Sequence, residues 1–148
     1  MIIAVDFDCT ICEHAYPDIG DPVPGAFAWL KLFQKAGAKL ILWTMRSDVR
    51  NEAESPLGNK ANRDYLSEAV AFCGGNGLSF WGVNENPEQA SWTDSPKVFA
   101  HLYIDDAAAG CPLLKWIATP RPMVDWSMVG PMVFEMMEME RIEQAAAP

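Results

Sequence analysis

Apolar residues run along the chain in two alternating patterns. Short unbroken runs at 2–5, 39–44, 78–81 and 102–104 have the length of buried parallel strands and fall short of a helix. Between them, apolar side chains return at helical spacing. Phe27, Leu30 and Phe33 follow Pro24, which suits a first helical turn, and precede Gly37, which stops the helix. Tyr65, Leu66, Ala69 and Phe72 predict a second helix closed by Gly74 and Gly75. Residues 112–117 read as a short helix, and Met123 with Val124 as a small fifth strand. The last helix is expected to be capped by Ser127, with Pro131 in its first turn. It should bury Val129, Met132, Val133 and Met136 and turn Glu135, Glu138, Glu140 and Glu143 to water.

Strands alternating with helices predict an α/β fold: a doubly wound, Rossmann-like parallel sheet of about five strands with helices on both faces. The polar stretches at 11–23, 46–59 and 84–96 read as loops, and none splits the 148 residues into two domains. With half its residues hydrophobic, the chain has material for a core.

Charge and cysteine content narrow the function classes. A net charge of -9 is the wrong sign for coating a phosphate backbone nonspecifically, which leaves room for a site acting on phosphate locally. No apolar run approaches the roughly 20 residues of a membrane span. The opening run meets Asp6 too early for a signal-peptide core, so the expected compartment is the cytoplasm. Cys9 and Cys12 form one Cys-x-x-Cys pair without a second pair, and with Cys73 and Cys111 they read as ordinary thiols, not a zinc site.

In parallel sheets the reactive residues gather beyond the C-terminal strand ends. Asp6, Asp8 and Thr10 follow the first strand, Thr44 ends the second, Lys97 stands just before the fourth, and Asp105 with Asp106 ends it. Lys60 heads the second helix and is a weaker candidate for the ammonium. Clustered carboxylates repel unless a cation neutralises them, and Mg²⁺, a hard ion that shares its shell with water and phosphate, fits such a set. A free carboxylate beside a bound phosphoryl group attacks phosphorus, and a second carboxylate handles the proton. Read singly, Asp6 and Asp8 also suit a strand-end turn, Thr44 a strand, Lys97 a solvated loop and Asp106 a helix cap.

The ordered set Asp6-x-Asp8-x-Thr10, Thr44, Lys97, Asp105-Asp106 resembles the phosphatase branch of the haloacid dehalogenase (HAD) superfamily, and most of all its small bacterial and phage hydrolases. The resemblance implies Asp6 as nucleophile and Asp8 as general acid/base, with Thr44 and Lys97 holding the phosphoryl group. It implies Mg²⁺ on Asp6, the Asp8 backbone carbonyl and Asp105, supported by Asp106. Thr10, Arg46, His14 and Trp92 are the substrate-side candidates, although Arg46 suits the surface equally and Trp92 also suits loop packing. Cys9 departs from the family, which most often has Gly there. The insertion points at 11–23 and 84–96 are too short for a cap domain, implying an open site for a phosphorylated small molecule or polymer end, or cover borrowed from a second copy in a homo-oligomer. Two rival readings are a receiver-like phosphoacceptor module, which would need an acid on the third strand, and a binding protein of this fold with weak turnover.

Overall fold

The computed structural model describes residues 1–48 and 63–146. The expectations for most of the 46–59 stretch, and for Lys60, lie outside these residues. Four strands form a parallel sheet: β1 (Ile2–Val5), β2 (Lys39–Leu42), β3 (Gly82–Val83) and β4 (Leu102–Ile104), in the order β3-β2-β1-β4. Ile3 pairs with Leu40 and Leu102, and Val5 with Leu42 and Ile104, so alternate residues of neighbouring strands share a face.

The helices are α1 (Ala26–Lys35), α2 (Tyr65–Gly75) and α3 (Trp126–Ala146). All three contribute to one core with Ile3, Val5, Leu40 and Leu42: Leu30 and Phe33 from α1, Ala69 and Cys73 from α2, and Trp126, Val129 and Val133 from α3. The opposite face, Ala4 and Ile41, is covered by Val98 and Ala100 of the segment between β3 and β4. Among the described residues, then, the three helices lie on one face, where helices on both were expected. The chain steps outward from β1 to β2 to β3 and returns to β4 on the other side, as right-handed crossovers require. The returning segment carries only a 3-10 turn, Gln89–Ser91. Its residues Ser95, Pro96 and Asn84 to Pro87 favour turns, and Gln89 pins it by bonding the carbonyls of Ser95 and Lys97 and the N–H of Phe99.

Several local expectations shift. The third strand pairs at Gly82–Val83, not at 78–81, although Trp81 N–H already donates to Leu40 O. A Cβ on Gly82 would stand 2.2 Å from the Glu85 carbonyl oxygen, so the tight turn there needs glycine. Gly74 and Gly75 lie in the last turn of α2, and the chain leaves through Asn76 and Gly77, whose φ is 72°.

The region expected as a short helix and a fifth sheet strand is a separate antiparallel ribbon, β5 (Leu113–Leu114) with β6 (Met123–Val124). Pro112 and the Pro120-Arg121-Pro122 run remove helix donors there. Asp125, not Ser127, caps α3: its carboxylate accepts the Ser127 N–H at 3.0 Å. The helix starts one residue before Ser127, which places Pro131 beyond the first turn. Its buried stripe is Trp126, Val129, Gly130, Val133 and Met137, while Met132 and Met136 are 47% and 40% exposed. Gly130 lies against the Trp29 ring of α1, and this close approach turns the helix so that those methionines face outward.

Candidate functional site

The chain path places the switch between outward and returning connections at β1 and β4, and the crevice beyond such a point is where open α/β sheets bind ligands. A cleft of about 420 Å³ opens there. Asp6 and Asp8 come from the turn after β1, Thr44, Met45 and Arg46 from the turn after β2, and Asp105 and Asp106 from the turn after β4. His14 and Tyr16 enter from the first loop, and Arg121 from the ribbon.

The turns are tied to the sheet and to one another. Asp6 N–H donates to Ile104 O and Trp43 N–H to Val5 O, which continues the ladder past the strand ends. The Asp106 N–H donates to the Thr10 hydroxyl at 3.3 Å, joining the two acidic turns. Asp105 accepts the Ala107 N–H at 2.8 Å and so shapes its own turn. Asn84, in the left-handed region at φ 53°, accepts the Thr44 N–H at 2.8 Å. The Thr44 hydroxyl oxygen accepts from Arg46 N–H at 3.2 Å, which leaves its own proton to be donated. Cys9 sits at φ 60°, a conformation that favours glycine and accounts for the residue expected at this position of the turn.

One oxygen each from Asp6, Asp105 and Asp106 lies within 4.8 Å of the other two. Burial pushes the Asp6 carboxyl up to about 8, and the neighbouring charges of Asp105, Asp106 and Asp8 push the same way against a bond from the Phe7 backbone. Asp106 is raised as well, by burial and by Asp105, with Arg121 opposing. Three half-buried oxygen donors whose charges burden one another are a donor set for a hard divalent cation, so the residues present fit Mg²⁺.

Asp8 is held differently. Arg46 grips it with two parallel bonds, Nη2 to Oδ1 at 2.7 Å and Nε to Oδ2 at 2.9 Å. The guanidinium also donates to the carbonyls of Pro17 and Asp18, lies 5.0 Å from the Phe7 ring centre, and is only 2% exposed. Arg46 is therefore the orienting partner of Asp8, not a surface residue or a group awaiting substrate. Arg46→Met leaves a carboxylate and two carbonyls without their donor. We expect about 3 kcal/mol of lost stability, the low end for a broken ion pair because the Asp8 side chain is 24% exposed. Urea denaturation should show a lower midpoint at unchanged slope, and Arg46→Lys should not restore it, lacking the planar fork.

Other expected residues separate from the cleft. Thr10 is fully buried, bonded to Asp106 N–H and, through its carbonyl, to the Trp126 indole, so its role is to brace and not to touch substrate. Trp92 is 60% exposed and packs edge-on against Phe99. Lys97 is exposed, with its Nζ 6.0 Å from the Tyr103 ring centre. Both line a groove with Phe99 and Tyr103 that shares no residue with the cleft. Lys97 fails as a cleft residue because the returning segment runs beneath the sheet face opposite the helices, where Val98 and Ala100 are buried. His14 lines the cleft. Cys9, Cys12 and Cys73 are free and buried, and burial pushes their thiols up to about 11, 12 and 12, which keeps them protonated and unreactive.

Sequence order alone did not single out Tyr16, Asn84 or Arg121. The available signal for Arg121 was its place between two prolines, a stiff mount for a cation. Among the described residues, no helix is long and apolar enough to cross a membrane.

No family model and no curated protein sequence matches the chain. A solved structure described as that of a conserved protein coded by a locus from Bacteroides thetaiotaomicron is similar to it at 34% identity, with a TM-score of 0.69, over 92% of this chain and 91% of that one.

Proposed function

The chain belongs to the family of that conserved Bacteroides protein, and from the chemistry of its own cleft we propose that it is a Mg²⁺-dependent phosphomonoester hydrolase of the HAD type. The observation that carries this reading is the convergence of Asp6, Asp105 and Asp106 at the ends of β1 and β4, with Asp8 and Thr44 facing the same cleft.

Asp6 attacks phosphorus through a carboxylate oxygen, and the bond to the leaving oxygen breaks. The phosphoryl group then rests on Asp6 as an aspartyl-phosphate. Asp8 is the proton-handling carboxyl: with one oxygen kept on Arg46 and the other released to carry the proton, it protonates the leaving oxygen and afterwards takes a proton back from the water that attacks phosphorus and frees Asp6. Thr44 donates its hydroxyl proton to a phosphoryl oxygen, its own oxygen being fixed by the Arg46 N–H. Bound Mg²⁺ supplies charge neutralisation and Lewis-acid polarisation at the carboxylate cluster. The transfer rests on positioning and charge, which suits a site built from three turns locked to one sheet.

The test is hydrolysis of p-nitrophenyl phosphate by the purified protein. Turnover with Mg²⁺ that stops on adding EDTA and returns with excess Mg²⁺ is the expected result. Absence of Mg²⁺-dependent turnover here and across nucleotides, sugar phosphates, phosphopeptides and end-phosphorylated oligonucleotides would overturn the reading, and a preference within that panel would name the substrate class.

A further inference from the structure

We infer that Arg121, on the β5–β6 ribbon, is a cation that grips the phosphoryl group in the cleft, the role that the resemblance assigns to Lys97. The inference rests on the reading of the cleft as a phosphoryl site. A phosphoryl group carries about 1.5 to 2 negative charges at neutral pH, and a cleft lined by four carboxylates repels it unless cations offset them. Three cationic side chains come into question among the described residues. Lys97 lies in the groove beside Tyr103 and does not line the cleft. Arg46 is in the cleft wall, yet its guanidinium is consumed by the two Asp8 oxygens and two backbone carbonyls. Arg121 lines the cleft beside Asp6, Asp8 and Cys9, is exposed, and makes no hydrogen bond or ion pair among the described residues.

The mount of Arg121 is firm. Val124 N–H donates to Cys9 O at 2.8 Å and Asp125 N–H to Pro112 O at 2.9 Å, which fastens the ribbon to the turn that carries Asp8. Met123 and Val124 are buried in the main core. Pro120 and Pro122 on either side fix φ and shed two donors, so the segment presenting Arg121 has few conformations to lose. The positive charge is felt across the cleft, where it opposes the upward shifts of Asp106 and Cys9. A guanidinium offers paired N–H donors that match two phosphoryl oxygens, and one still free of partners meets an incoming anion without first breaking a contact.

The test measures equilibrium binding of inorganic phosphate, with saturating Mg²⁺, to the full chain and to Arg121→Ala, Arg121→Lys and Lys97→Ala. Arg121→Ala should weaken phosphate binding about 10- to 100-fold, the span for one charge-assisted bidentate contact. Arg121→Lys should recover part of that loss, and Lys97→Ala should bind within about twofold of wild type. Mg²⁺ binding, titrated separately, should be at least as tight in Arg121→Ala, because a competing positive charge has gone. Unchanged phosphate binding in Arg121→Ala, or a loss confined to Lys97→Ala, or no phosphate binding by the wild type, overturns the assignment. Arg121-dependent phosphate binding in a protein that hydrolyses no phosphoester leaves the assignment standing and removes the hydrolase reading, so the two fail separately.

Discussion

Asp6→Asn should lower phosphoester turnover by about 1,000-fold or more while making the metal-free protein harder to unfold in mild alkali. Both effects come from one carboxylate. Asp6 is half-buried beside Asp105, Asp106 and Asp8, and burial above all raises its carboxyl from 3.8 to about 8. Below about pH 4 the group is neutral in both the folded and the unfolded chain. Between about 4 and 8 the unfolded chain has released the proton and the metal-free native state still holds it, so each step up in pH favours unfolding. Asp106 is shifted in the same direction. Thermal scans of the metal-free wild type should therefore show a midpoint that falls from pH 5 to pH 8.5. In Asp6→Asn the fall should be shallower, because an amide has no proton to release. Mg²⁺ should raise the wild-type midpoint more at pH 8 than at pH 5, where it must displace a proton. Full turnover in Asp6→Asn removes the nucleophile assignment. Parallel pH curves for the two proteins, without metal, remove the electrostatic account.

Trp126→Ala should cost about 3 to 5 kcal/mol of stability and lower the thermal midpoint by about 10 °C. The indole is 1% exposed, its ring centre lies 6.4 Å from that of Phe33, and its Nε1–H donates to Thr10 O at 2.8 Å. Truncation leaves a cavity between α1 and α3 and strips a buried carbonyl of its donor. The loss should reach the cleft, because Thr10 also holds the Asp106 N–H. Trp126→Phe separates the two contributions: it fills most of the volume but cannot donate, and should cost about 1 to 3 kcal/mol. Chemical denaturation measures both. Equal losses in the two variants would assign the effect to the hydrogen bond and not to packing.

The parts of this molecule legible in its sequence are those set by local, periodic burial. Ile2–Val5 and Leu102–Ile104 appear as strands with the expected ends, since runs of apolar residues stopped by acids admit few alternatives. The gathering of Asp6, Asp8, Thr44, Asp105 and Asp106 was legible for the same reason, as strand order carries strand-end residues to one crevice. The place of Lys97 away from the cleft is not legible, because proximity to a strand start in sequence says nothing of which sheet face the preceding segment runs beneath. The three-residue turn Gln89–Ser91 and the side-chain bonds of Gln89, neither of which has a periodic signature, decide that path. Arg46 was ambiguous since a single arginine in a polar stretch shows nothing of a partner 38 positions away. The faces of α3 are not legible because apolar residues occur all round its first half, and only the fit of Gly130 against Trp29 selects which methionines are covered.

The sheet tapers toward its flanks. Its outer strands, β3 with two residues and β4 with three, are shorter than the two four-residue strands between them. An edge strand is a template on which another chain can extend a sheet, and the hazard grows with the length of unpaired backbone it presents. Here each flank offers a row too brief to register a neighbouring strand, so edge-to-edge extension of this sheet by a second chain is disfavoured.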